Sequence, residues 1–278
     1  MTREARSSAD EAYRSWMQKN LERAAEAFSL QVSGTPVFGW RLRSIGSRAS
    51  DDQGSYWLRV VGENPRWLPG DFWTGNVDAN TLTNLSKPRV LKAMEWTDQR
   101  QWRAEVASLI AGHACSPTDA IRSDPSLPPE WWQDLRQNLD TLRATPTARV
   151  HIDQDRVNKR TRAALDIDLP ISHWETVHGD LHWGNLHCPQ FALLDWELWG
   201  RGPVGTDAAT LYCYSLLSPI TAQRVYGLFA DTLDMPAGRT AQLYAASRLL
   251  TRAQQDYPEL LPLLWQLAQR LICSGLDH

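Results

Sequence analysis

Two segments of the chain are the most informative: HGDLHWGN, residues 178–185, and FALLDWE, residues 191–197. The first segment carries a carboxylate at Asp180 and a carboxamide at Asn185. The second is an apolar run that leads into Asp195, which is typical of a short buried strand that presents a carboxylate from a rigid element. Carboxylate and amide oxygens are the hard ligands that Mg²⁺ prefers. These three side chains are therefore candidate members of one site.

Residue types in this pattern point to phosphoryl transfer. Transfer from ATP needs a carboxylate that orients the attacking hydroxyl and accepts its proton, and it needs oxygen ligands that fix Mg²⁺ on the phosphates. Asp180 is the candidate for the first role, and Asn185 and Asp195 are the candidates for the second. The competing interpretation is an ordinary loop in which Asp and Asn side chains hydrogen-bond the local backbone.

Both segments resemble the catalytic loop and metal motif of the aminoglycoside phosphotransferase and choline kinase-like family, whose members have a protein kinase-like fold. That family carries H-G-D-x-x-x-x-N, followed by an apolar strand and an acidic motif similar to I-D-W/F-E. The resemblance implies that Asp180 is the catalytic base and that His178 braces the loop. It also implies that Asn185 and Asp195 hold Mg²⁺. Downstream, residues 205–207 resemble the helix-start G-x-D of the family.

Local patterns before residue 113 predict an N-terminal helix and an antiparallel sheet. Apolar residues at helical spacing predict an amphipathic helix over about 9–28. Runs of β-branched and aromatic residues between turn signals predict strands over 37–45 and 56–61. The segments 90–96 and 102–110 are separated by a short polar segment, so they predict a hairpin.

The pattern after residue 112 is helical. Ser116 followed by Pro117 predicts a helix start, and apolar residues predict a long amphipathic helix over 131–142. Short strand-like pieces surround residues 175–195. Further helices are expected over 206–217, 221–233, 239–253 and 261–273.

A sheet-forming part followed by a helical part predicts an α+β fold, which we expect to be protein kinase-like, with two lobes and a cleft between them. Residues 1–112 form the N-terminal helix and the nucleotide-binding antiparallel sheet lobe in this prediction. Residues 113–278 form the larger helical lobe, which carries catalysis and substrate binding.

The family resemblance also implies a nucleotide site in the sheet lobe. A basic residue on the third strand grips the phosphates in this family, and Arg59 is the candidate because a planar guanidinium holds phosphate bidentately. Lys92 is the rival, with an exposed strand cation as its ordinary interpretation. Leu109, Ile110 and Ala111 are expected to form the hinge segment against which adenine packs.

Composition excludes several classes of function. The formal net charge is −3, which gives no electrostatic reason to bind nucleic acid or an acidic membrane. No apolar run approaches the roughly 20 residues that span a bilayer, and residues 1–16 lack the apolar core of a secretory signal. The four cysteines are far apart and form no CxxC pair, so reduced thiols and a cytoplasmic location are expected. The oligomeric state is left open.

The resulting hypothesis is an ATP- and Mg²⁺-dependent phosphotransferase that acts on a hydroxyl of a small molecule, namely an amino sugar, an antibiotic or an amino alcohol. Acidic residues outnumber basic ones after residue 112, which suits either a cationic substrate or a solvated acidic surface. Among the 14 tryptophans, Trp183 and Trp199 are expected to shape the acceptor site, and most of the others to pack in the core.

Two alternatives remain open at this stage. A non-catalytic nucleotide-binding pseudokinase is one, because no G-x-G-x-x-G loop is present over residues 31–54. A metal-dependent hydrolase is the other, with His178, Asp180, His182 and Asp195 as a binuclear metal cluster.

Overall fold

A computed structural model describes residues 3–67 and 71–274, with side chains from residue 10 onward. The chain divides into two units. The first comprises Met1–Asn80 and Pro88–Ile110, and the second comprises Thr81–Lys87 and Ala111–His278. The first unit contains an antiparallel sheet and the second is mainly helical, so the predicted α+β fold class is confirmed.

The sheet of the first unit has five antiparallel strands. In spatial order they are β1, β2, β3, β5 and β4. Their bounds are β1 Gln31–Phe38, β2 Ser44–Asp51, β3 Gly54–Glu63, β4 Val90–Thr97 and β5 Gln101–Ser108. The predicted hairpin corresponds to β4 and β5, in which Trp96 lies opposite Trp102.

The single strand expected over residues 37–45 is wrong. Phe38 lies opposite Ile45 in the register of β1 with β2, so the chain reverses direction between them. A short 3₁₀ turn spans Trp40–Leu42, and Arg41 has a φ of 51°, which is incompatible with an extended strand. Apolar residues on both sides of this turn made two strands resemble one continuous run.

Helix α1, Arg3–Phe28, packs on one face of this sheet and begins earlier than predicted. Its buried residues Met17 and Leu21 belong to one apolar cluster with Leu58 and Val60 of β3. Successive strand residues point to opposite faces, so Arg59 lies on the face away from this cluster. A four-residue helix, α2 (Gly75–Asp78), precedes β4 in the same unit.

The second unit contains seven helices within the residues that the structure describes. They are α3 Pro129–Ala144, α4 Gln154–Leu165, α5 Thr206–Ser215, α6 Pro219–Leu228, α7 Ala230–Leu233, α8 Pro236–Asp256 and α9 Leu261–Cys273. Helix α8 packs against α4, α5 and α9 and therefore forms the centre of this unit. In the described part of the chain, no helix has both the length and the apolar character needed to span a bilayer.

Two details of the helical prediction are wrong. No helix begins at Ser116, because its hydroxyl accepts a hydrogen bond from the backbone of Thr118 and stabilises a local turn instead. Helix α4 was not predicted, since only Val157 and Thr161 are buried along it and its apolar face is narrow. The available signal was Asp153, whose side chain caps the helix by accepting from the Arg156 backbone at 2.7 Å.

Short strands of the second unit lie before and after segments 178–185 and 191–197. Their bounds are β6 Gly112–Ala114, β7 Trp174–Val177, β8 Leu186–Pro189, β9 Ala192–Leu193 and β10 Gly200–Pro203. Strand β7 pairs with β10, and β6, β8 and β9 form a small sheet. Residues 178–185 therefore connect β7 to β8, and Asp195 follows β9 after one residue. The four cysteines all lie in the described residues and are free thiols.

Candidate active site

The loop between β7 and β8 is held by the first turn of α5. The buried carboxylate of Asp207 accepts hydrogen bonds from the backbone N–H groups of His178, at 2.6 Å, and Gly179, at 3.0 Å. Gly179 has a φ of +82°, and a Cβ atom there would lie 2.4 Å from the carbonyl oxygen of Leu198. Only glycine fits this position. The backbone that leads into Asp180 is therefore fixed on both sides.

Burial raises the pKa of Asp207 to about 6, and the two backbone hydrogen bonds oppose this rise. The carboxylate is therefore ionised above this pH despite its buried position. The resemblance of residues 205–207 to G-x-D indicated that Asp207 begins a helix. Its hydrogen bonds to the loop, in contrast, became visible only in the structure.

His178 links this loop to the segment before Asp195. Its ring is fully buried, and Nε2 lies 2.9 Å from the carbonyl oxygen of Leu194. Burial lowers the pKa of His178 to about 4, so the ring is neutral at pH 7 and Nε2–H donates to that carbonyl. The ring also packs edge-on against Trp196, with centroids 4.8 Å apart. This is the geometry of a bracing residue.

The structure brings Asp180, Asn185 and Asp195 together. The Asn185 amide Nδ2 donates to the backbone oxygen of Asp180 at 3.0 Å, and the Leu194 backbone N–H donates to the backbone carbonyl oxygen of Asn185 at 2.8 Å. Asp195 follows Leu194 directly, is exposed, and has a φ of 59°, which Asp tolerates better than most residues. Backbone and side-chain bonds thus join the three predicted positions.

The donor set at this position fits Mg²⁺. Nδ2 of Asn185 donates to the backbone of Asp180. The amide oxygen Oδ1 takes no part in this bond and is the atom that could bind a metal ion. An amide oxygen and one carboxylate match the usual pattern for Mg²⁺, which takes one or two protein oxygens and fills the remaining positions with phosphates and water.

The binuclear cluster considered from the sequence is not formed. Among the described residues, no three His, Cys, Asp or Glu side chains are placed so that they could hold a metal ion together. His178, one of its expected ligands, is fully buried and bonded to a backbone carbonyl. The histidine-rich appearance of residues 178–182 therefore arises from loop packing.

The Asp180 carboxylate is a quarter exposed and lies between two basic groups. Its Oδ1 is 3.5 Å from Nη2 of Arg248, and its Oδ2 is 3.8 Å from Nε2 of His182. Burial raises the pKa of Asp180, but the charges of His182 and Arg248 oppose this rise. The net result is a pKa below the ordinary value of 3.8. Asp180 is consequently a carboxylate at neutral pH, as a proton acceptor requires.

A second polar cluster adjoins Asp180 through His182, and sequence reasoning missed it. Nδ1 of His182 lies 3.6 Å from Asp119, whose carboxylate also accepts from Arg252 at 2.8 Å and from the hydroxyl of Tyr257. The loop before α3 supplies Asp119, helix α8 supplies Arg252, and Tyr257 follows α8 directly. No motif marks them, because they are distant from residues 178–185 in the chain.

The predicted nucleotide-binding residues belong to the first unit or to the segment that follows it. Arg59 is partly buried on β3, opposite Glu105 of β5, with Nη1 3.9 Å from its carboxylate. Lys92 is exposed on β4, as its ordinary interpretation predicted.

The expected hinge residues follow β5 without regular secondary structure. Leu109 and Ile110 are partly buried, whereas Ala111 is exposed. The division between the two units falls between Ile110 and Ala111. Contact with adenine stays a prediction for all three residues.

The expected role of Trp183 in shaping the acceptor site is wrong. This residue is fully buried, its indole N–H donates to the hydroxyl of Ser215 at 2.9 Å, and its ring stacks on Trp131 with an interplanar angle of 11°. Trp199 is buried as well, and its ring lies under the guanidinium of Arg149. Both tryptophans pack the interior of the second unit.

Comparison with known proteins identifies the family and the fold. Residues 86–250 match the sequence profile of the phosphotransferase enzyme family. A search of curated protein sequences gave no match.

Three solved structures share the fold. The aminoglycoside phosphotransferase APH(4)-Ia is 14% identical, with a TM-score of 0.61 over 91% of this chain and 97% of that one. A candidate fructosamine-3-kinase from Haemophilus somnus 129PT is 10% identical, with a TM-score of 0.57 over 94% and 99%. The ethanolamine kinase of Plasmodium vivax is 11% identical, with a TM-score of 0.52 over 87% and 82%.

At these identities the structural likeness shows the fold, while the sequence profile covers more than half of the chain and shows the family. The resemblance stated from residues 178–197 and the predicted protein kinase-like fold are therefore confirmed. The chain belongs to the phosphotransferase enzyme family, as a small-molecule phosphotransferase with a protein kinase-like fold.

Proposed function

We propose that this chain transfers the γ-phosphate of ATP to a hydroxyl group of a small molecule in a reaction that requires Mg²⁺. One observation carries the proposal: the side chain of Asn185 is bonded to the backbone of Asp180, and its backbone is bonded to Leu194, directly before Asp195. The backbone positions that carry these three oxygen-bearing side chains are thereby linked by a short network. Phosphoryl transfer depends mainly on such positioning and on electrostatic stabilisation.

In the proposed reaction the acceptor hydroxyl oxygen forms a bond to the γ-phosphorus, and the bond between that phosphorus and the oxygen of ADP breaks. The hydroxyl proton passes to Asp180, which is ionised at neutral pH because His182 and Arg248 lower its pKa. Asn185 and Asp195 hold Mg²⁺, which neutralises charge on the phosphates when it is bound. Asp207 and His178 keep the loop in position through the contacts described above.

Residues of the first unit and of the segment that follows it are proposed to bind the nucleotide. Arg59 is proposed to bind the phosphates, since the alternation of β3 leaves its guanidinium on the face away from the packed helix. Leu109, Ile110 and Ala111 are proposed to contact adenine.

The test is ATP consumption against a panel of hydroxyl compounds that includes aminoglycosides, ethanolamine, sugars and hydroxy acids. Asp180→Asn should lower kcat about 10²–10⁴-fold, the usual contribution of a positioned general base, with a nearly unchanged KM for ATP. Asp134→Asn is the matched control, because Asp134 is an exposed carboxylate on α3 and should leave turnover unchanged.

Calorimetry of ATP binding with and without Mg²⁺ tests the metal site. Binding to the wild type should tighten with Mg²⁺, and Asp195→Ala should remove this dependence. ATP binding without turnover of any acceptor would instead identify a pseudokinase. A requirement for zinc together with hydrolysis would revive the hydrolase interpretation.

A further inference from the structure

The guanidinium of Arg248 has more donors than its contact with Asp180 uses. Its side chain is 10% exposed, and Nη2 lies 3.5 Å from the Asp180 carboxylate. Nη1, on the same planar group, is buried and has no hydrogen-bond partner. Buried polar groups in native proteins almost always have partners, so an unpaired guanidinium nitrogen beside the candidate catalytic carboxylate points to a ligand.

A second arginine, Arg160, lies on α4, which packs against α8, the helix that carries Arg248. Within the part of the chain that the structure describes, Arg160 forms no hydrogen bond or ion pair, although it is partly buried. Burial lowers the pKa of Arg160, and the positive charges of Arg248, Arg156 and Arg252 lower it further. Two guanidinium groups of neighbouring helices therefore share one region.

Two acidic groups nearby share one arginine, Arg252. Arg252 lies 2.8 Å from Asp119 and 3.4 Å from Asp256, so these two carboxylates are occupied by one cation. His151, beside Gly179, adds no charge, because burial lowers its pKa to about 3. Among the described residues, Arg248 forms its ion pair with Asp180, and Arg160 forms none with either of these carboxylates.

We propose that the acceptor substrate carries a carboxylate or phosphate group, bound by Arg248 and Arg160, which places its hydroxyl at Asp180. A planar guanidinium can bind such an anion through two hydrogen bonds, and two guanidinium groups can bind the same carboxylate or phosphate. The inference rests on the proposed function and narrows its acceptor to anionic hydroxyl compounds. It opposes the cationic substrate suggested by the excess of acidic residues in this part of the sequence.

Matched acceptors test the charge preference. ATP turnover is measured with glycerate against glycerol, gluconate against glucose, and glycerol 3-phosphate, alongside the cations ethanolamine, glucosamine and kanamycin. The anionic member of each pair should give a kcat/KM that is roughly 10-fold higher or more, as expected for a charge-assisted hydrogen bond. The carboxylate and phosphate arms then distinguish the two anions.

Two variants on α4 test the residues. Arg160→Gln should raise the KM for the preferred anionic acceptor about 10-fold and leave the KM for ATP unchanged. Arg162→Gln is the matched control, because Arg162 is exposed and pairs with Asp168, which is exposed as well. It should change neither constant. Arg160 is used in preference to Arg248, whose removal would also disturb Asp180.

The outcomes separate this inference from the proposed function. Turnover of the cationic acceptors in preference to the anionic ones, with Arg160→Gln unaffected, overturns the inference while the proposed function stands. If no compound is turned over, thermal stabilisation by glycerate or glycerol 3-phosphate is compared between wild type and Arg160→Gln. Stabilisation that the variant loses supports the anion site, and equal or absent stabilisation overturns it.

Discussion

The prediction that examines this fold most directly concerns Asp207. Replacement by alanine removes the acceptor of two buried backbone N–H groups, those of His178 and Gly179. Each unsatisfied buried donor costs about 1–3 kcal/mol, so the variant should lose roughly 3 kcal/mol of unfolding free energy at pH 5. Asp207→Asn keeps one acceptor oxygen and should lose about half as much.

The loss should be smaller at higher pH, and the sign follows from the raised pKa. Asp207 titrates at about 6 in the folded protein and at 3.8 as its ordinary value. Between these two pKa values the folded wild type keeps a proton that the unfolded chain has lost, and this proton uptake stabilises the folded state. The stabilisation disappears as the pH rises through about 6. Between pH 5 and pH 8 the difference between wild type and Asp207→Ala should shrink by roughly 1 kcal/mol.

Urea unfolding of the purified variants at pH 5 and pH 8 measures both effects. Asp231→Ala is the control, since Asp231 also receives two hydrogen bonds, at 2.8 and 2.7 Å from Arg136, but its side chain is 58% exposed. An exposed pair contributes less than about 1 kcal/mol. Equal losses for the two variants, or a loss at Asp207 that grows with pH, would refute the reasoning that burial determines the effect.

Three further predictions use other contacts. Glu175→Gln should reduce the fall in unfolding free energy as the pH rises from 5 to 8, because burial raises the pKa of Glu175 to about 7. Glutamine keeps the hydrogen bond from the Gly205 backbone, so parallel pH curves for wild type and variant would contradict this prediction. Asp119→Ala should lower the free energy of unfolding by about 2–4 kcal/mol, measured in urea, since a guanidinium and a tyrosine hydroxyl lose their acceptor; a loss below 1 kcal/mol means that solvent replaces it. Arg59→Ala should weaken ATP binding in calorimetry much more than Lys92→Ala, and the reverse order means that β3 does not carry the phosphate-binding cation.

The segments 178–185 and 191–197 were readable from sequence because their residues are close together in the chain. Asn185 bonds to Asp180 five residues away, and the apolar run before Asp195 forms β9, which pairs with the neighbouring strand β8. The same locality explains why the β4–β5 hairpin was predicted correctly. Spacing along the chain carries the information wherever the contacts themselves are local.

Locality also explains the failures. Residues 37–45 were interpreted as one strand, because an apolar pattern does not reveal a reversal that depends on positive φ values. Helix α4 was missed, since its buried face is narrow and its other side chains are polar. Trp183 was placed at the acceptor site because it lies beside Asp180 in sequence, although its side chain packs in the interior.

The sequence by itself determined the family, the α+β fold class and the three oxygen-bearing residues of the candidate site, because these depend on short-range patterns. Only the tertiary structure decided which residues surround Asp180. Arg248 lies 68 positions from Asp180 along the chain and yet contacts its carboxylate, and Arg160 lies on α4, a helix that the sequence did not predict and that packs against the helix of Arg248. Periodicity indicates which face of a helix is buried, but it does not identify the side chain that the face will meet, because that depends on how separate elements fill one core.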